Sequence, residues 1–165
     1  MQIKTERFGE VNYNSNDVLN FPRGIPAFED KTDWILVGND DNAVKWLQSI
    51  DDGELALPVT SPDAVQSDYN ARIPDDEIAL ISDNKPCNPA DLALLIVVSI
   101  PENAPWNMTA NLRAPILINL KTRKAVQVIA LNEEYPIRHI VFPEDVRAKM
   151  KRSANNNNKS QEARD

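Results

Sequence analysis

NMTANLRAPILINLKTRKAVQVIAL, residues 107–131, holds two apolar runs, 115–120 and 125–131, on either side of the polar tetrad Lys121-Thr122-Arg123-Lys124. Ile116, Ile118 and Leu120 recur at period two, and so do Val126, Val128 and Ala130. That spacing predicts two strands, and the short charged connector predicts a hairpin turn. The connector has no glycine, which disfavours a two-residue turn with positive φ at both positions and favours a four-residue loop built on a type I turn. Both strands are apolar at nearly every position, the pattern of a hairpin buried on two sides in a barrel or sandwich.

Outside this hairpin, 165 residues at 42% hydrophobic content suit one domain with one sizeable core. The N-terminus lacks the basic, apolar and small-residue succession of a signal peptide. The longest apolar run, 92–100, is far short of a membrane span. A single cysteine, Cys87, has no partner for an internal disulfide. These features lead us to expect a cytoplasmic protein without a membrane partner. Charge is uneven. Residues 29–91 carry fifteen acidic against four basic side chains, a net of −11, while residues 151–165 carry a net of +2. A body this acidic repels phosphates, which disfavours direct RNA or DNA binding and suits a basic protein partner. Solubility alone also accounts for acid-rich loops.

Along the chain, residues 3–5, 10–13 and 18–21 read as an opening strand meander separated by Gly9 and by Asn14-Ser15-Asn16-Asp17. Two prolines and a glycine in residues 22–26 make a shaped loop, anchored by Phe21, Ile25 and Phe28. Residues 34–37 and 44–50 form the next pair around Gly38-Asn39-Asp40-Asp41-Asn42, with Trp34 and Trp46 as core anchors. Pro58 within 55–60 predicts an edge strand or a bulge, and an open edge accepts an added strand. Residues 61–91 are the least regular part, with Asn88 placed to cap a short turn at Pro89. Residues 93–100 belong at the centre of the sheet. After a last strand within 135–141, a short C-terminal helix spans 143–150, acidic first and basic last. The tail 151–165 is expected to be disordered and polar. The fold class is all-β.

Chemistry finds little footing. His139 is the only histidine, Cys87 has no neighbouring thiol, and no G-x-S-x-G motif or phosphate-cradling glycine loop occurs. Pairs such as Asp51/Asp52 and Asp75/Asp76 stand in turns, where acids are solvated and their pKa values are not driven apart. A small β-barrel hydrolase built on His139 is the weakest of the available readings. No enzyme and no cofactor are expected.

Five stretches resemble the FliW family of flagellar assembly factors in order. They are 107–131, Phe21-Pro22-Arg23-Gly24-Ile25-Pro26-Ala27-Phe28-Glu29, Trp46-Leu47-Gln48-Ser49-Ile50, Leu55-Ala56-Leu57-Pro58-Val59-Thr60-Ser61-Pro62, and Tyr135-Pro136-Ile137-Arg138-His139. Two departures stand out. Ala27 occupies a place where that family usually has glycine, and Ile140-Val141 a place where its pattern usually has proline. The resemblance implies a compact single-domain β-barrel-like fold over residues 1–150. It also implies a non-catalytic regulator that binds the C-terminal segment of flagellin and antagonises CsrA, an RNA-binding translational repressor. A plain export chaperone, or an acidic binding module with no translational role, is the alternative.

Contact residues are expected beside the signature hairpin, at Asn107, Met108, Thr109, Asn111 and Arg113, with Ile25 and Met108 as apolar grips. Asn and Thr at such places also satisfy nearby backbone groups. Antagonism by repulsion needs clustered acids. One unit charge about 15 Å from a phosphate contributes only about 0.3 kcal/mol in water, and screening sets in over roughly 8 Å. The clusters Asp51, Asp52, Glu54 and Asp75, Asp76, Glu77 are the candidates.

Overall fold

A computed structural model describes residues 1–162, with side chains placed through Asn157; residues 163–165 of the expected tail lie outside the described residues. The chain opens with a two-stranded antiparallel sheet, β1 (Gln2–Thr5) and β2 (Gly9–Asn12). The remaining strands are β3 (Val18–Asn20), β4 (Asp33–Val37), β5 (Val44–Ser49), β6 (Ala56–Thr60), β7 (Leu92–Ser99), β8 (Thr109–Ala110), β9 (Ile116–Asn119), β10 (Ala125–Gln127) and β11 (His139–Ile140). They form one sheet in the order β10-β9-β7-β6-β5-β4-β3, and β8 pairs with both β7 and β11 at the far end of β7. The ladders are antiparallel throughout. The sheet curls until its outermost strands meet at one parallel bridge between Asn20 and Lys124, where the N–H of Asn20 donates to the carbonyl of Arg123 at 2.9 Å. The result is barrel-like without a full closing ladder.

The 107–131 stretch makes the expected hairpin, with Ala125, Val126 and Gln127 opposite Ile118, Leu117 and Ile116. Five residues, 120–124, connect the strands, and the N–H of Asn119 on the carbonyl of Lys124 at 2.9 Å encloses four of them, 120–123, one residue earlier than the polar tetrad. One left-handed residue suffices, and it is Arg123 at φ 60°. Two-sided burial holds along β9 and over 125–128, caused by the alternation of side chains across a strand, whereas Leu120, Ile129 and Leu131 of the two apolar runs are exposed. Ile116, Ile118 and Ala125 face the main core with Phe21, Trp34 and Leu47. Leu117, Val126 and Val128 face the other way, beneath a helix that packs Ile78 and Ile81 on them.

That helix, α1 (Asp75–Ile81), lies in the region read as irregular, and its first turn is the supposed acidic turn Asp75-Asp76-Glu77. Three acids at a helix N-terminus complement the partial positive charge of its free N–H groups. Seven residues are too few for a clear 3.6-residue period, so only the apolar pair Ile78 and Ile81 marks it.

Three further expectations are corrected. The opening strands do not form one meander, because β1 and β2 stand apart from the main sheet and only β3 joins it. Pro58 does not mark an edge: β6 runs between β5 and β7, although its ladder to β7 is confined to Val59 and Thr60. The C-terminal helix α2 does not stop near residue 150 but runs Glu144–Glu162, through the asparagine run placed in a disordered tail. No glycine or proline interrupts residues 144–162, so no backbone breaker ends it.

The loop after β3 carries the family departure in its backbone. Ala27 has φ 77°, a left-handed conformation that glycine adopts freely. The strain on alanine is about 1–2 kcal/mol, partly offset because glycine adds about 0.4–1 kcal/mol of unfolded-state entropy. Ala27→Gly is therefore expected to raise stability by about 0.5–1 kcal/mol, read as a higher urea midpoint at unchanged slope.

Candidate functional site

From Asn107 to Leu112 polar and apolar residues alternate, and pairing of β8 with β7 fixes which set faces inward. Val98 lies opposite Ala110, and Ser99 opposite Thr109. Met108, Ala110 and Leu112 point into a second core cluster with Ile96 and Val98. Asn107, Thr109 and Asn111 point the other way. With Ser99, Ile137 and Arg138 they line a cleft of about 490 Å³. The structure thus gathers three of the expected contact residues at one site. Ser99, Ile137 and Arg138 were not foreseen; the exposed Ile-Arg pair before β11 was the available signal, and Ile137 is 62% exposed.

Met108 and Ile25 sit differently from expectation. Met108 is 9% exposed and Ile25 is 2% exposed, both packed in core clusters, so neither side chain offers a surface grip. Period-two alternation separates Met108 from its neighbours in the sequence itself and turns it inward. Asn111 is engaged locally: its Oδ1 accepts from the N–H groups of Arg113 and Ala114 at 3.2 and 3.0 Å. This holds the bend between β8 and β9. Arg113 lies off the cleft lining; with Arg72 it helps hold the exposed Glu134 carboxyl below the usual range, after that residue's own backbone hydrogen bond and the Asn132 amide.

Two tyrosines fasten this end of the fold. Tyr69 and Tyr135 stack with ring centroids 4.9 Å apart. The Tyr69 hydroxyl donates to the carbonyl of Leu112 at 2.7 Å, and that of Tyr135 accepts from the N–H of Asn70 at 2.8 Å. Phenol and loop together hold the 61–74 segment against the bend that follows β8 and bears Asn111.

The two acidic clusters lie on other clefts. Glu77 pairs with Arg23 and lines a cleft of about 330 Å³ with Gly24, Glu29, Val126 and Ile129. Asp75 and Asp76 are exposed in the same helical turn. Glu54 lines a cleft of about 360 Å³ between the β1–β2 turn and the outer face of β5–β6. Asp52 is used within its own turn, where Oδ1 accepts from the N–H of Glu54 at 3.0 Å, and Asp51 is exposed. Hairpin and acids are therefore not one constellation but three. Among the described residues, no group of three or more His, Cys, Asp or Glu is placed to hold a metal ion, and no helix is long and apolar enough to cross a membrane.

A curled, barrel-like β-sheet with one short helix over its terminal hairpin and a second at its C-terminal end defines the structural class. A solved protein carries the same architecture: a crystal structure of the flagellar assembly factor FliW superposes with a TM-score of 0.77 at 28% identity, covering 87% of this chain and 99% of that one. The family model described as FliW protein matches residues 2–141. Flagellar assembly factors FliW of Alkaliphilus metalliredigens and Thermotoga maritima are 37% and 35% identical. The alignments cover 87% of this chain and 88% of the first relative, and 90% of this chain and 98% of the second. The chain belongs to the FliW family of flagellar assembly factors.

Burial, with the Tyr135 charge adding to it, pushes the Tyr69 phenol up from its usual 10 to about 12. The folded state thus favours the protonated phenol, a stabilisation fully present below pH 10 and lost as pH rises towards 12. Thermal unfolding followed from pH 9 to 12 is expected to show a steeper loss of Tm in the native protein than in Tyr69→Phe. Parallel curves for the two proteins would show that Tyr69 titrates as it does in the unfolded chain.

Proposed function

We propose that the protein is a non-catalytic, cytoplasmic partner switch. It binds the C-terminal segment of flagellin and antagonises the RNA-binding repressor CsrA, occupying one client at a time. Accumulated flagellin then displaces CsrA, which represses flagellin translation, and export of flagellin reverses this. Mutually exclusive binding is sufficient, because a ligand shifts an equilibrium by its differential affinity for the two states.

The observation that carries this reading is the match to the FliW family over residues 2–141, which spans every strand of the fold. Two features support the division of labour. The cleft beside β8 combines amide and hydroxyl groups of Asn107, Thr109 and Asn111 with the exposed Ile137, a mixed lining suited to a peptide segment. The acid excess of residues 29–91 complements the basic surface that an RNA binder must carry.

Isothermal calorimetry against purified flagellin and CsrA, separately and then with the other present, tests the switch. Each is expected to bind alone, and saturating flagellin is expected to abolish the heat of CsrA binding. Both clients bound together with unchanged affinities would overturn exclusivity, and flagellin binding without CsrA binding would favour a plain export chaperone. For the charge component, Asp75→Asn/Asp76→Asn/Glu77→Gln and Asp51→Asn/Asp52→Asn/Glu54→Gln are compared in a CsrA–RNA competition titration. At least one triple variant is expected to lose antagonism, increasingly so at low salt; full antagonism in both would end the charge component.

A further inference from the structure

The outer face of β5 carries a buried amide that is not matched to its surroundings. Gln48 is 0% exposed, covered by the β1–β2 hairpin, whose Glu6 N–H donates to the Gly53 carbonyl at 3.0 Å. Its Nε2 lies within hydrogen-bond reach of four carbonyls, those of Ser49 and Leu55 at 3.0 Å, Asp52 at 3.2 Å and Gly53 at 3.4 Å. An amide nitrogen has two hydrogens to share among them. Its Oε1 is buried and has no hydrogen-bond partner among the described residues. Acceptors are thus in surplus at this point and donors are short.

Gln48 lines the cleft it shares with Glu6, Arg7, Gly53 and Glu54, and two of those side chains are carboxylates on the rim. The basic member of the rim is otherwise engaged, since the Arg7 guanidinium stands 3.7 Å from the centroid of the Trp46 ring. Backbone packing fixes the shape, because a Cβ on Gly53 would fall 2.2 Å from the carbonyl oxygen of Lys4. A volume of about 360 Å³ is at the small end for a binding pocket and fits one side chain better than a peptide.

We propose that this cleft is a receptor for one cationic side chain, arginine or lysine, presented by a protein partner: Glu6 and Glu54 balance the charge at its rim, and yielding of the β1–β2 cover opens Gln48 Oε1 at its floor to accept a hydrogen bond. A neutral donor satisfies the amide alone, whereas a guanidinium or ammonium group satisfies amide and carboxylates together. The acid excess of the surrounding chain favours the same sign of ligand. The assignment names a ligand chemistry and does not depend on the identity of the flagellar partners.

The test is a titration of the isotope-labelled full chain with Nα-acetyl-argininamide and Nα-acetyl-lysinamide at constant ionic strength. Nα-acetyl-glutaminamide and potassium chloride serve as controls. One of the two cationic amides is expected to shift the side-chain amide signals of Gln48 and the backbone signals of Gly53 and Glu54 saturably, with neither control doing so. Glu54→Gln is expected to weaken binding about two- to fivefold, and Gln48→Met on the order of tenfold. Where Gln48→Met fails to fold, the native shift map and Glu54→Gln decide. Shifts that are absent from Gln48, that spread without saturation over all acidic residues, that are reproduced by glutaminamide or potassium, or that survive Glu54→Gln unchanged would overturn the assignment.

Discussion

The outermost strands of the main sheet meet at one backbone hydrogen bond, the N–H of Asn20, at the end of β3, on the carbonyl of Arg123, and that junction makes the sheet a barrel-like shell rather than an open ribbon. The bond is available because Arg123 is left-handed, the conformation that closes the β9–β10 loop. Bending the sheet round to this point brings Leu19 and Phe21 against Ile116, Ile118 and Ala125 in one core cluster. Without the bend, strands at opposite ends of the order β10-β9-β7-β6-β5-β4-β3 have no reason to share a core. The same loop grips α1 from the other side. Thr122 Oγ1 donates to the Ile81 carbonyl at 2.6 Å, Lys124 pairs with Asp83, and Lys121 lies 3.4 Å from Asp91. Asn119, 3% exposed, holds the loop's own N–H groups through Oδ1 and reaches Ser82 through Nδ2. A tetrad that looks like a mere connector therefore joins three layers.

The hairpin was legible because its signal is local and doubled: period two in both runs, and apolar residues on both faces. What covers the second face was not legible. The covering helix α1 is seven residues long and begins Pro-Asp-Asp-Glu, which as a string is indistinguishable from an acidic turn. Its identity depends on Leu117 and Val126 being there to receive Ile78 and Ile81, a long-range fact. Pro58 misled for a related reason. A proline weakens a ladder wherever it falls, and here the chain accommodates it inside the sheet by confining the β6–β7 ladder to the two residues beyond it. At the cleft beside β8, Asn107, Thr109 and Asn111 were named from family pattern, and the same alternation that exposes them buries Met108. Ile137 and Arg138 reach that cleft from 26 or more residues away in sequence, and spacing alone does not bring them there.

Charge has a structural share as well as an outward one. Asp83 and Asp91 belong to the acidic segment yet are matched by lysines of the β9–β10 loop, and Glu77 by Arg23. These pairs are at least partly exposed, so each contributes little to stability. Among the acids that these pairs leave uncompensated are Asp75 and Asp76 on one side, and Asp51 and Glu54 on another. A cationic surface approaching the molecule meets separate foci rather than a uniform field, and screening over roughly 8 Å keeps such foci distinct.

The indole of Trp34 is fully enclosed, edge-on to Phe21 at 6.3 Å, whereas that of Trp46 is half-buried under Arg7 and edge-on to Phe8 at 6.4 Å. A collisional quencher dissolved in the buffer meets these two chromophores unequally. The molecule accordingly holds one optical reporter sunk in its interior and another beside the β1–β2 hairpin, so with the partly buried Trp106 replaced by phenylalanine, loosening of the interior and displacement of that hairpin leave different marks on its emission.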